Sequence, residues 1–111
     1  MRRLAALCGR HAPGDFRVIQ VEAEGIVTLA CTGELDMATC AQLTEAVQRA
    51  VSSTPTVVRI DCAHVGFVDS TGIRSLLEAR RHADGHGIEF QVVPSREVQR
   101  LLDLVGVSLA G

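Results

Sequence analysis

Apolar residues along this chain follow two rhythms, one of period two and one of three to four. Phe16, Val18, Ile19 and Val21 give residues 16–22 the character of a strand. A Glu24-Gly25 turn leads into residues 26–32, IVTLACT, whose β-branched content marks a second strand. The link is short, so the two strands are expected to form an antiparallel hairpin. Leu43, Ala46, Val47, Ala50 and Val51 then fall at i, i+3, i+4, i+7 and i+8, the spacing of an amphipathic helix. Thr39 and Gln42 stand at capping-box spacing before it, and Ser52-Ser53-Thr54-Pro55 stops it. Residues 56–62, TVVRIDC, read as a third strand. A second helix is expected to start at Asp69-Ser70-Thr71-Gly72, to carry Ile73, Leu76 and Leu77, and to end near Ala83, where Asp84-Gly85-His86-Gly87 breaks the pattern. Residues 88–93 alternate like a half-buried strand. Ser95 is the expected N-cap of a third helix with Val98, Leu101, Leu102 and Val105 as its stripe and Gly106 as its stop. The closing VSLAG is open to a short strand or a frayed end.

The order β-β-α-β-α-β-α predicts one α/β domain. Helices that join strand two to three and strand three to four make those strands parallel, with right-handed crossovers. The segments after strands two and three then share the carboxyl edge of the sheet, the usual working edge of open α/β sheets. Those segments are Gly33-Glu34-Leu35-Asp36 and Val68-Asp69-Ser70-Thr71-Gly72. Asp36 and Ser70 are therefore expected to be neighbours in space.

Composition narrows the function. A length of 111 residues suits one domain able to bury a core without staples, and 47% hydrophobic with 22% charged residues is ordinary for a globular protein. A formal net charge of −2 gives no basic excess for nucleic acid or an anionic membrane, and 3% aromatics without Trp or Tyr offers no base-stacking platform. No apolar stretch approaches the roughly 20 residues that span a bilayer. Residues 1–8, MRRLAALC, carry a basic pair and an apolar run too short for a signal peptide. Residues 1–14 are read as a tail before a domain over 15–111, and the expected location is the cytoplasm. Cys8, Cys31, Cys40 and Cys62 make no C-x-x-C pair and are expected as small reduced core residues, Cys31 and Cys62 in strands and Cys40 near a helix start. His82 and His86 have i, i+4 spacing, but Asp84-Gly85 interrupts the helix that a metal pair there would need. No metal or cofactor is expected.

The Asp69-Ser70-Thr71-Gly72 corner admits three readings. Ser, Thr and Asp are preferred N-caps, so the motif is first a structural signal. A nucleophile is the second reading. Yet the D-[ST]-G loop of aspartic proteases has one residue fewer and needs a second copy. The G-x-S-x-G elbow and the phosphate-binding G-x-x-x-x-G-K-[ST] loop are absent. His64 lies in or just after the preceding strand, with no orienting group assigned to it. No enzymatic activity is expected. The third reading is a serine that accepts a phosphate, placed where a helix N-terminus tolerates anions.

The chain resembles the STAS domain family, and within it the bacterial anti-sigma factor antagonists. The matching residues are Thr32-Gly33-Glu34-Leu35-Asp36, then VGFVDSTGI at 65–73, then VQRLLDLVGV at 98–107. The resemblance covers roughly residues 16–107. It implies a STAS-like single domain, a mixed four- to five-stranded sheet covered by amphipathic helices. It further implies a protein that binds an anti-sigma factor, itself a serine kinase of the histidine-kinase-like ATPase fold, and so frees a sigma factor. By the same resemblance the kinase phosphorylates Ser70, the modified protein lets go, and a PP2C-type phosphatase resets it. Asp36 then corresponds to an acidic contact near the kinase's nucleotide site. Glu34, Thr71 and Arg74 join the partner-binding surface, and Asp69 and Gly72 shape the turn.

Two features depart from the family pattern. Arg74 stands where a small Gly is frequent, a change expected to bear on partner choice. The family usually continues past the VGV region with another helix, whereas this sequence ends at Gly111. An alternative within the family is a STAS module in a stressosome-like scaffold or a lipid transport complex.

Overall fold

The structure is a computed structural model and describes residues 16–106. The expected tail, 1–14, and the closing segment, 107–111, lie outside the described residues.

Strand β1 (Phe16–Ala23) and strand β2 (Ile26–Leu35) form the expected antiparallel hairpin, with Ala23 opposite Ile26. Both turn residues have positive φ, 55° at Glu24 and 81° at Gly25, as a two-residue type I′ turn requires. Helix α1 (Cys40–Ser52) follows, then strand β3 (Val57–Val68), helix α2 (Ser70–Gly85), strand β4 (Glu89–Val93) and helix α3 (Arg96–Val105). The sheet order is β1-β2-β3-β4, with β3 parallel to both β2 and β4. The crossovers through α1 and α2 thus run as the element order dictates.

One sheet face is buried. Val27, Leu29 and Cys31 of β2 and Val58, Ile60 and Cys62 of β3 form it, under Leu43, Val47, Leu76, Ala79 and Val98 of the three helices. All five apolar positions expected on α1 are buried. On the opposite face Thr28, Ala30, Arg59, Asp61 and Gln91 are only half-buried. Arg59 Nε donates there to Gln91 Oε1 at 2.9 Å. Cys31 and Cys62 are buried free thiols, whereas Cys40, at the start of α1, is free but only half-buried, and Cys8 lies outside the described residues. A hydrogen bond with Cys62, and then burial, raise the Cys31 thiol well above its ordinary range, which keeps it protonated and unreactive.

Several boundaries differ from the sequence reading. β2 continues through Gly33, Glu34 and Leu35, so only Asp36 of that tetrapeptide leaves the strand. β3 does not stop at Cys62 but runs to Val68. Its pairing with β2 slips twice: Cys31 spans the interval in which β3 places Cys62 and Ala63, and Gly66 is skipped between Val65 and Phe67. Each slip inserts one extra residue into β3, as in a β-bulge. Buried positions then recur every three residues, at Cys62, Val65 and Val68, and the period-two signal of a strand disappears.

α2 is not broken at Asp84 and continues to Gly85. Its end is closed by His86, whose Nδ1 lies 2.9 Å from the His82 carbonyl oxygen. That nitrogen is thus occupied as a helix C-terminal cap. On α3, Ser95 is the N-cap, its Oγ accepting from Val98 N–H at 3.2 Å. Gly106 ends the helix as expected. The buried stripe on α3 stops at Leu102, and Val105 at the last position is 48% exposed.

Candidate functional site

The carboxyl ends of β2 and β3 meet residue for residue. Leu35 pairs with Val68 at the last register position of the two strands. Asp36 and Asp69 follow these residues directly, so the two corners leave the sheet side by side. The Asp69 N–H donates to the Leu35 carbonyl oxygen at 3.3 Å and fastens one corner to the other.

Gly72 completes the contact. It is buried in the first turn of α2, and a Cβ there would run into the same Leu35 carbonyl oxygen and come within 2.8 Å of Val68 Cγ2. Only a residue without a side chain lets the start of α2 lie this close to β2. Asp69, and not Ser70, is the N-cap: its Oδ1 accepts from Gly72 N–H at 2.9 Å, and its carbonyl accepts from Ile73 N–H at 3.0 Å. Ser70 is therefore the first helical residue. It is exposed, and its hydroxyl makes no hydrogen bond to any described residue. Thr71 beside it is half-buried. Arg74 is exposed one turn after Ser70, at i+4, the spacing at which helical side chains meet.

The Asp36 corner is held by a residue expected in another role. Thr39 does not form the capping box: it has helical φ and ψ, −117° and −13°, and makes no side-chain cap bond. Its hydroxyl is engaged upstream instead. Thr39 Oγ1 donates to the Glu34 carbonyl oxygen at 2.7 Å and accepts from Asp36 N–H at 3.0 Å. Thr39 is only 2% exposed, so this one hydroxyl satisfies two backbone groups at the chain's exit from β2. The Asp36 carboxylate folds over the same turn, with Oδ1 accepting from Ala38 N–H at 2.9 Å. This short-range bond fixes the carboxylate's direction.

The structure thus brings Asp36, Asp69, Ser70 and Gly72 to one corner. Glu34 sits on β2 two residues before Asp36, half-buried, with Phe67 as its register partner. His64 does not join them. It pairs with Thr32 further up β3, and at about 3.3 Å per residue its backbone is on the order of 10 Å from the corner. Two apolar residues that the sequence reading did not single out border the site. Met37 is 77% exposed next to Asp36, and Phe67 is 47% exposed two residues before Asp69. Phe67 lies within an apolar run, and only the bulge at Gly66 turns it outward.

None of the described helices is long and apolar enough to cross a membrane. Among the described residues no group of three or more His, Cys, Asp or Glu is gathered for a metal ion.

Comparison with known proteins agrees with the fold. A family model described as "Mlab, STAS domain" matches residues 19–108. The anti-sigma-F factor antagonist RsfB of Mycobacterium tuberculosis is 34% identical over 89 residues, which span 80% of this chain and 72% of that protein. A crystal structure of an anti-sigma factor antagonist from Mycobacterium paratuberculosis superposes with a TM-score of 0.78 at 27% identity, covering 86% of this chain and 81% of the other. SpoIIAA, an anti-sigma factor antagonist in its unphosphorylated form, shares the fold with a TM-score of 0.67 at 22% identity, over 83% and 81% of the two chains. The chain belongs to the STAS domain family, in its group of bacterial anti-sigma factor antagonists.

Proposed function

We propose that this protein binds an anti-sigma factor through the Asp36–Ser70 corner and so releases a sigma factor, and that phosphorylation of Ser70 ends the interaction. The observation that carries this reading is the exposed hydroxyl of Ser70, unbonded among the described residues, at the first position of α2 and beside two carboxylates. A kinase can reach it without unfolding anything. A phosphate adds about −1.5 to −2 charge at pH 7. The helix N-terminus partly offsets that charge, by about 0.3–1 kcal/mol, so the fold tolerates it. The partner meets a different surface: a phosphate between Asp36 and Asp69 concentrates negative charge where the unmodified protein offers a hydroxyl.

The same corner offers affinity as well as a switch. Met37 and Phe67 are exposed apolar side chains, and Asp36, Glu34 and Asp69 supply a polar rim. Apolar anchors within a polar border are the usual build of a protein interface. Thr71, Gly72 and Arg74 extend it along the first turns of α2. In this reading the partner is an ATPase-fold serine kinase, and a PP2C-type phosphatase restores the serine. The protein acts as a regulator in the cytoplasm, not as a catalyst.

Affinity capture with the unmodified protein, followed by mass spectrometry, tests the reading. Recovery of an ATPase-fold kinase that Ser70→Asp fails to recover is the expected result. Recovery of a transporter ATPase, equally by both forms, would replace the proposal with a role in a transport complex.

A further inference from the structure

Two buried thiols lie side by side in the sheet. Cys31 of β2 and Cys62 of β3 are both free, and both sit on the helix-covered face with Leu29 and Ile60. The parallel register places Ala30 opposite Asp61 and Thr32 opposite His64. Cys31 therefore faces the interval that holds Cys62, at the first of the two bulges. A hydrogen bond joins the two thiols, and Cys31 Sγ also lies 3.6 Å from the Leu29 carbonyl oxygen. Paired strands run roughly 4.7–4.9 Å apart. That spacing lies within the roughly 4.4–6.8 Å between Cα atoms that a disulfide bridges. Cys40 is engaged elsewhere, its Sγ turned to the Met37 carbonyl oxygen at 3.8 Å.

We propose that Cys31 and Cys62 are a redox-sensitive pair, which hydrogen peroxide converts into an intramolecular disulfide that locks β2 to β3. The Cys62 sulfur attacks the peroxide, the O–O bond breaks, and one water leaves with Cys62 as a sulfenic acid. The Cys31 sulfur then attacks that sulfur. The S–S bond forms, and the hydroxyl departs with the Cys31 proton as a second water. The two thiols lose two electrons, and the peroxide gains them. Cys62 acts first because the proton of Cys31 is held by its hydrogen bond.

The closed fold shields the pair, since both sulfurs lie under the helices and Cys31 stays protonated there. Oxidation therefore proceeds when the helical layer parts from the sheet, one of the local openings by which folded proteins expose buried groups. The β2–β3 ladder, from Ile26 to Leu35, holds the two cysteines together through such an opening. The second thiol is then present at high effective concentration, and it captures the sulfenic acid before further oxidation. The finished disulfide closes a loop that contains all of α1, so the oxidised domain opens less readily. It lies upstream of the Leu35–Val68 pair and uses none of the residues of the Asp36–Ser70 corner.

Peroxide treatment of the full folded chain, followed by alkylation and mass spectrometry of the intact protein and its peptides, tests the proposal. A background with Cys8→Ser and Cys40→Ser isolates the pair. The expected product is two hydrogens lighter than the reduced protein, has the Cys31 and Cys62 peptides linked, and reverts with dithiothreitol. Cys31→Ser in that background should abolish the loss of two hydrogens. Urea below the unfolding transition should speed the linkage. The linked form should melt higher than the reduced form by roughly 10 °C. Sulfinic or sulfonic acid on either cysteine without a link, or no reaction at all, would overturn the proposal. So would a link that forms only after complete unfolding, or a linked form that melts no higher than the reduced one.

Discussion

The Asp69 amide donates to the carbonyl oxygen of Leu35 at 3.3 Å, and this bond joins two segments far apart in sequence into one corner. Leu35 is the last residue of β2, and Asp69 the residue between β3 and α2. The carbonyl of one strand end thus anchors the start of the helix that carries Ser70. The position of the proposed phosphoacceptor relative to Asp36 is set by backbone, and side chains refine it.

Gly72 is the tightest point of that joint. Gly72→Ala pushes a Cβ against the Leu35 carbonyl, which is backbone and cannot rotate away. Overpacking of this kind costs about 1–3 kcal/mol. Chemical denaturation should show the midpoint falling by a corresponding amount with an unchanged slope. Partner affinity should fall as well, since α2 must move away from β2.

Thr39 positions Asp36 from beneath. Thr39→Val keeps the shape but leaves the Glu34 carbonyl and the Asp36 amide without their hydroxyl partner. Each such hydrogen bond contributes about 0.5–1.5 kcal/mol. Thr39→Val should be destabilised to that extent and should bind its partner more weakly, and Thr39→Ser should recover both. Loss of stability with full retention of binding would show that the Asp36 turn does not depend on this hydroxyl.

Phe67 should matter for binding far more than for folding. Its side chain is about half exposed at the rim of the corner. Truncation of an interface anchor costs about 2 kcal/mol or more, roughly thirtyfold in affinity. Calorimetric titration of Phe67→Ala against the anti-sigma factor should show that loss, while its thermal transition shifts little.

Arg74 should give a form phosphorylated on Ser70 a local partner. It lies one turn after Ser70 at i+4, where a phosphate on Ser70 comes within reach of its guanidinium. Arg74→Ala should therefore leave the thermal stability of the unmodified protein almost unchanged and lower that of the phosphorylated protein. A double-mutant cycle with Ser70→Asp should give a coupling of about 0.5 kcal/mol, in line with helical ion pairs. No coupling in either form would place Arg74 in partner recognition alone.

The sequence was legible where its rhythm was regular. The five buried positions of α1 follow the 3.6 period, and the hairpin turn at Glu24-Gly25 has both residues at positive φ. The Ser95 cap and the Gly106 stop are local signals that tertiary packing did not override. Legibility failed at the carboxyl end of β3. There two extra residues convert a period of two into one of three, so Cys62, Val65 and Val68 face inward and Phe67 outward. A bulge depends on the neighbouring strand, and one strand's residues do not announce it. Thr39 failed for a related reason: its spacing from Gln42 fits a capping box, but the nearer Glu34 carbonyl and Asp36 amide take its hydroxyl. The juxtaposition of Asp36 with Ser70 was readable because it follows from topology alone.

The central claim is that Ser70 is a phosphorylation switch. Incubation of the protein with ATP and any ATPase-fold kinase recovered by the affinity capture, followed by peptide mass spectrometry, tests it most directly. One phosphate on Ser70, absent in Ser70→Ala and accompanied by loss of the complex, is the predicted result. Phosphate on Thr71, or none at all, or a complex that survives full modification of Ser70, would contradict it.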